Sequence, residues 1–196
     1  MSNNKGHNIL SRIKDPGSAI THFIAMMLAV IASVPLLLKA ARTPGYTHVL
    51  AMSVFITSMI LLYAASTIYH TLNISPKVNR LLRKIDHMMI FILIAGSYTP
   101  VCIIVLGDRT GYILLASVWA IAIVGMVINA LWITCPKWFS SLIYIAMGWA
   151  CVSAFQKLVS ALPPRAFGWL LAGGIIYTLG GIIYALKLPI FNSRHK

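Results

Sequence analysis

The chain is poor in acidic residues. Its 196 residues include only three, Asp15, Asp86 and Asp108, and no glutamate. Charged residues of both signs make up 10% of the chain, against about 25% in a typical soluble domain. Hydrophobic residues make up 59%. So little charge beside so much apolar surface excludes an ordinary soluble domain and indicates several membrane spans.

Cysteine is also scarce. Cys102, Cys135 and Cys151 are scattered and show no C-x-x-C spacing. They support neither a disulfide framework nor a cysteine metal site. The first apolar run is too long for the core of a signal peptide, and we interpret it as a retained span.

The hydrophobic residues form six apolar runs, which predict an all-α integral membrane protein built as a six-helix transmembrane bundle. A cytoplasmic segment, 1–16, precedes the predicted bundle, 17–187, and a basic tail, 188–196, follows it. Glycines seven residues apart in the last run, such as Gly174 and Gly181, predict close helix packing. The runs are 17–38, 48–71, 86–106, 112–133, 138–156 and 166–187.

The net charge of +13 comes from lysines and arginines that lie between the apolar runs. This placement favours contact with membrane lipid over nucleic acid as the partner. Eleven of the 16 basic residues fall on the side of the membrane that holds both termini, and five fall on the other side. The bias predicts both termini in the cytoplasm of a bacterial inner membrane. No pattern indicates an oligomeric state.

Polar residues at the borders of three runs form the candidate site. Ser18 and His22 lie four apart at the start of the first run, and Ser66 and His70 lie four apart at the end of the second. This spacing places each pair on one helix face. Asp86 and His87 open the third run. Since these three borders face the same side of the membrane, the polar groups are expected to meet at one depth.

Histidine, aspartate and serine at one depth are the parts of a zinc-hydrolase site. A catalytic zinc takes about three protein ligands and makes its bound water a nucleophile. An aspartate can hold that water, and a serine can donate to a developing oxyanion. Simpler interpretations remain. Asp86 could cap the third helix, and Ser18 and Ser66 could bond their own helix backbones. We interpret His7, His48 and His195 as interfacial residues.

Several stretches resemble the hemolysin III family, the bacterial branch of the progestin and adipoQ receptor proteins. They are "SAITH" (18–22), "STIYH" (66–70), "KIDHMMIFILIAGSYTP" (84–100) and "YALKLPIFNSR" (184–194). The resemblance covers nearly the whole chain from about Asp15. Family members often carry an acidic residue and an asparagine before the first-helix histidine, where this chain has Asp15 and Ser18.

The resemblance implies a seven-helix bundle with a zinc held by three histidines. His70 matches the ligand on the second helix, Asp86 matches the aspartate that holds the zinc-bound water, and Ser66 matches the serine one turn before the first ligand. His22 and His87 match motif histidines around the site.

The other two family ligands form an H-x-x-x-H pair on the seventh helix. The sequence stops at Lys196, just past the sixth run, and His195 is a single histidine in a basic tail. We therefore expect a truncated bundle with one family ligand, which binds zinc weakly or not at all by itself. His22, His87 and Asp86 are the residues left to complete a metal site.

Two functions follow as alternatives. The resemblance implies a zinc-dependent hydrolase of lipid amides or esters, linked to cytolysis and membrane-lipid homeostasis, with Ser66 and Asp86 as its catalytic residues. The second is a sensor or receptor without catalysis. A transporter is disfavoured because the runs hold few charges beyond this one cluster and show no inverted repeat.

Overall fold

A computed structural model describes residues 13–132 and 137–186. Every regular element within these ranges is helical, which confirms the predicted all-α class. The α-helices are α1 (Pro16–Ala41), α2 (Thr47–Thr71), α3 (Pro76–Pro100), α4 (Arg109–Leu131), α5 (Lys137–Gly148), α6 (Phe155–Ala161) and α7 (Pro164–Leu186). A π-helical stretch, Val101–Leu106, follows α3, and a 3₁₀ stretch, Ala150–Ala154, follows α5. His7, His195 and the predicted tail lie outside the described residues.

Six helical stretches in the described part of the chain are long and apolar enough to cross a membrane, as predicted. Large apolar side chains on them face outward. Ile31, Val34 and Leu38 on α1 are 63%, 60% and 61% exposed, respectively. Such a surface suits lipid, and helices suit hydrocarbon because they satisfy their own backbone hydrogen bonds. The chain is therefore a multi-pass membrane protein. The spans are Pro16–Ala41, Thr47–Thr71, Pro76–Leu106, Arg109–Leu131, Trp138–Ala161 and Pro164–Ile183.

The chain divides into two compact units, Met1–Gly96 and Ser97–Lys196. The first contains α1, α2 and most of α3, together with all the predicted site residues. In it α1 and α2 pack against each other. Buried alanines of α1, Ala19, Ala29 and Ala40, lie ten or eleven residues apart, about three helical turns, and so share one face. Small residues on a shared face let two helix backbones approach closely.

Gly96 brings α3 close to α2 within this first unit. A methyl group at Gly96 would lie 2.8 Å from Cβ of the buried Ser58, so no larger residue fits without a shift. From this contact Asp86 lies about 15 Å back along α3, and Ser66 lies about 12 Å forward along α2, at 1.5 Å per residue. Since the two helices run in opposite directions, the contact sets Asp86 level with Ser66.

The prediction that the third helix starts at Asp86 is wrong. The α3 helix begins ten residues earlier, at Pro76, and Asp86 lies well inside it. The intervening segment, 77–85, carries four basic residues and so did not count as an apolar run, although leucine, lysine and arginine favour helix. The helix-cap interpretation of Asp86 therefore fails.

The second unit contains a broken fifth span. The predicted single run, 138–156, is divided into α5, a 3₁₀ stretch and α6. Tyr98 stabilises the break, since its hydroxyl donates to the Gly148 carbonyl at 2.8 Å and accepts from the Cys151 backbone N–H at 2.9 Å. A backbone break in a membrane segment needs such partners because no water is available to supply them.

Asp108 caps the start of α4 in this unit. Its carboxylate accepts from the Gly111 backbone N–H at 2.9 Å and pairs with Lys157. The Lys157 hydrogen bond, together with that of Gly111, lowers the pKa of Asp108.

The predicted glycine packing is seen at one of the positions. A Cβ at Gly181 of α7 would lie 3.0 Å from Ile145 of α5. At Gly173, Gly174 and Gly180 a Cβ would meet no described atom within 4 Å.

Candidate functional site

Seven polar side chains meet where α1 begins, α2 ends and α3 passes Asp86. We call them the polar cluster, and all belong to the first unit. The members are Asp15, Ser18, His22, Ser66, His70, Asp86 and His87. The structure thus brings together all six residues that the sequence placed in the candidate site, while their chemical roles stay predictions. His48 lies in the first turn of α2, 22 residues from His70 or about 33 Å along the helix.

The link between α1 and α2 is the contact of His22 with Ser66. The His22 Nδ1 atom lies 2.5 Å from the Ser66 Oγ atom, and the Ser66 residue is only 4% exposed. The interpretation that Ser66 only bonds its own helix therefore does not describe its main contact. The His22 ring also packs edge-on against Tyr63, with ring centroids 5.9 Å apart, which limits its rotation.

The link to α3 is the buried carboxylate of Asp86. It accepts a hydrogen bond from the Ser66 side chain, and its Oδ2 lies 3.3 Å from His87 Nδ1. A carboxylate can only accept, so the single hydroxyl proton of Ser66 points to Asp86. His22 Nδ1 must then be the donor to Ser66 Oγ. The order of donation is His22 to Ser66 to Asp86, which leaves His22 Nε2 as an acceptor when the ring is neutral.

The start of the cluster is Asp15, immediately before α1. Its Oδ2 lies 3.1 Å from His70 Nδ1 and accepts from the Ser18 hydroxyl at 2.8 Å. Partial burial acts to raise the pKa of Asp15, but the Ser18 hydrogen bond and the nearby His70 outweigh it, so that the pKa lies below its ordinary value. Asp15 is therefore a carboxylate at neutral pH.

The two halves of the cluster meet at two imidazole rings. His22 and His70 stand edge to face, with ring centroids 5.5 Å apart. Tyr69 packs edge-on against His70 at 4.8 Å, and the Lys14 ammonium lies 3.5 Å from the centre of the Tyr69 ring. Aromatic neighbours thus hold each imidazole in place.

The described donors do not form a complete zinc site. Among residues 13–132 and 137–186, no three His, Cys, Asp or Glu side chains could hold one metal ion together. His70 has one feature of a metal ligand, because the carboxylate of Asp15 faces its Nδ1 and Nε2 is then the nitrogen left to bind. One ligand of about three does not make a zinc site.

Asp15 is the member of the cluster that the sequence did not assign to the site. The sequence analysis named Asp15 only as the match to the acidic residue that family members often carry before the first-helix histidine. A signal was present, because Asp15, Ser18 and His22 follow the i, i+3, i+7 spacing of one helix face.

The sequence model of a family described as "Haemolysin-III related" matches residues 10–193. The chain belongs to this hemolysin III family. It is 38% identical over 175 residues to "Hemolysin-3" of Bacillus cereus, covering 89% of this chain and 80% of that protein. It is 35% identical over 175 residues to "Hemolysin-3 homolog" of Bacillus subtilis (strain 168), covering 89% and 82%. The resemblance seen in the sequence motifs is thereby confirmed, and this hemolysin III protein has bacterial relatives.

Proposed function

We propose that this hemolysin III protein hydrolyses an ester or amide bond of a membrane lipid at the polar cluster. The observation that carries the proposal is the chain of donation from His22 through Ser66 to the buried carboxylate of Asp86. Burying polar groups in a membrane span is costly, and such groups usually serve function. The resemblance implies the same reaction class for these residues.

Asp86 is the proposed base. It would accept a proton from water as the water oxygen attacks the lipid carbonyl, and the proton would then pass to the leaving oxygen or nitrogen. The products would be a fatty acid and an alcohol or amine. Ser66 keeps the carboxylate in position by donating to it, and His22 keeps Ser66 in position. Ser66 is therefore a positioning residue in this proposal, because its proton is directed at Asp86.

An apolar groove next to the cluster supports a lipid as the substrate. The groove lies between α1 and α2, has a volume of about 650 Å³ and extends from Ala25 and Tyr63 towards Lys39. Tyr63 also contacts His22. Ala25 and Lys39 are 14 residues apart, about 21 Å along a helix, which exceeds the ~15 Å depth of one leaflet. The groove is therefore long enough for an acyl chain whose carbonyl lies at the cluster.

The test is product analysis with purified protein in lipid vesicles. A panel of lipid esters and amides is incubated with wild-type protein and with Asp86→Asn protein, and released fatty acid is measured. The proposal expects release from at least one lipid by the wild type only. Equal release by both proteins would overturn it. Lysis of target cells, which the relatives' names suggest, and control of lipid composition would both follow from this cleavage.

A sensor without catalysis is the second candidate. The burial of Ser66 and Asp86, 4% and 8% exposed, favours it because a substrate has little access to them. A sensor would bind a lipid from the same panel and release no product, whether or not Asp86 is intact. Binding and product release measured on the same sample separate the two candidates.

We also propose that both termini lie in the cytoplasm of the bacterial inner membrane, with the polar cluster at the cytoplasmic end. The bias of eleven basic residues to five supports this orientation. We predict that a reporter active only in the cytoplasm works when fused after Lys196 and fails when inserted beside Arg165. The reverse pattern would contradict the orientation and move the cluster to the opposite face.

A further inference from the structure

Asp15 lies at the N-terminal capping position of α1, but its side chain does not cap the helix. Asp15 is the N-cap of α1, and aspartate is a favoured cap because its carboxylate can accept from the first free N–H groups. Here the Asp15 side chain makes no capping hydrogen bond. A single oxygen, Oδ2, instead faces His70 Nδ1 and accepts from Ser18. The carboxylate thus contacts the Ser18 side chain of α1 and the His70 side chain of α2.

The backbone on both sides of this contact fixes it in place. The Asp15 N–H donates to the His70 carbonyl at 3.0 Å, and the Lys14 N–H donates to the Thr71 carbonyl at 3.4 Å. These carbonyls are among the last four of α2, which lack partners within their own helix. Pro16 follows at the first position of α1, where its fixed φ suits a helix start. Asp15 is therefore attached to His70 through both its backbone and its side chain.

We propose that Asp15 is a positioning residue that holds His70 as the Nδ1–H tautomer and so directs the Nε2 lone pair into the polar cluster. A carboxylate has no proton to donate, so the nitrogen that faces it must carry one. A neutral imidazole has only one N–H, and Nε2 is then the acceptor. The inference does not depend on the proposed function, in which Asp86 and not His70 is the base.

His22 provides an internal control for His70 within the polar cluster. His22 is also held through Nδ1, but by Ser66, which in turn donates to Asp86. The two histidines therefore depend on different partners. Removal of Asp15 should affect only the tautomer of His70, and removal of Ser66 should affect only that of His22. A general loosening of the fold would affect both.

The experiment is nitrogen-15 magnetic resonance of the full chain, labelled at histidine and placed in lipid vesicles. Spectra are recorded at alkaline pH, where imidazoles with an ordinary pKa of about 6.5 are neutral. The two signals are assigned by His70→Gln and His22→Gln substitutions. In wild type we expect the Nδ1–H form for both rings. Asp15→Ala should remove the preference at His70 and leave His22 unchanged, and Ser66→Ala should do the opposite.

The Asp15→Asn variant tests whether a hydrogen-bond acceptor at position 15 is enough to hold the His70 tautomer without the negative charge. Its amide oxygen has two lone pairs and can accept from both Ser18 and His70, so the Nδ1–H form should persist. An Nε2–H form of His70 in the wild type, or a wild-type tautomer in Asp15→Ala, would overturn the inference. A changed tautomer with no hydrolysis in any protein would sustain the inference and reject the proposed function.

Discussion

Replacing Asp86 by asparagine is expected to reduce lipid hydrolysis about 10²- to 10⁴-fold, the usual contribution of a positioned general base. Asparagine is nearly the same size and can still accept the Ser66 hydrogen bond, so the packing at this position should persist. It cannot take a proton from water at neutral pH. The measurement is the initial rate of fatty acid release from the lipid that the wild type cleaves best, with helix content followed in the same samples.

Asp108→Asn is the matched control for this change. It is the same substitution, but Asp108 lies in the second unit, where it caps α4 and pairs with Lys157. Such an exposed ion pair contributes little to stability, and the rate should stay close to wild type. Equal losses in both variants would mean that Asp86 affects only general stability. An unchanged rate in Asp86→Asn would remove it from the chemistry.

The second large effect concerns zinc. We predict that the 196-residue chain, purified without chelator, holds much less than one zinc per chain, because the described residues offer no set of three ligands. Adding a seventh helix that bears H-x-x-x-H should raise the content to about one, since two imidazoles would join the prepared Nε2 of His70. Metal content is measured by elemental analysis of the purified protein.

Substitutions at two histidines of α2 show whether the added zinc is bound by His70. His70→Ala should abolish the gained zinc, whereas His48→Ala, at the opposite end of α2, should leave it intact. Stoichiometric zinc in the unextended chain that disappears with His70→Ala would refute the prediction. In that case His22, His87 or Asp86 would complete the site together with His70.

The sequence predicted the common depth of the cluster, because the order of the helices alone brings the start of α1 and the end of α2 to one side of the membrane. The side-chain contacts within the cluster could not be predicted in this way. That Ser66 bonds His22 depends on how the alanine face of α1 meets α2, and the level of Asp86 depends on the Gly96 contact with Ser58. A pattern within one helix carries no information about its rotation against another.

The sequence analysis missed two features of the helices, the start of α3 and the break between α5 and α6. Apolar runs mark the part of a helix that lies in lipid, but a helix can continue beyond it. The basic segment before Asp86 therefore concealed the true start of α3 at Pro76. The break between α5 and α6 was also missed, because its stabilising partner, Tyr98, lies about 50 residues away in sequence. Neither feature changes the apolar runs on which the predictions rested.

If Ser66 and Asp86 act as one unit in hydrolysis, a double-mutant cycle will show it. Fatty acid release is measured for wild type, Ser66→Ala, Asp86→Asn and the double variant. Residues that act together lose activity in a strongly non-additive way. We predict that the double variant is no slower than Asp86→Asn alone, within about twofold. Losses that multiply in the double variant, or a Ser66→Ala protein with the wild-type rate, would show that the two residues act separately.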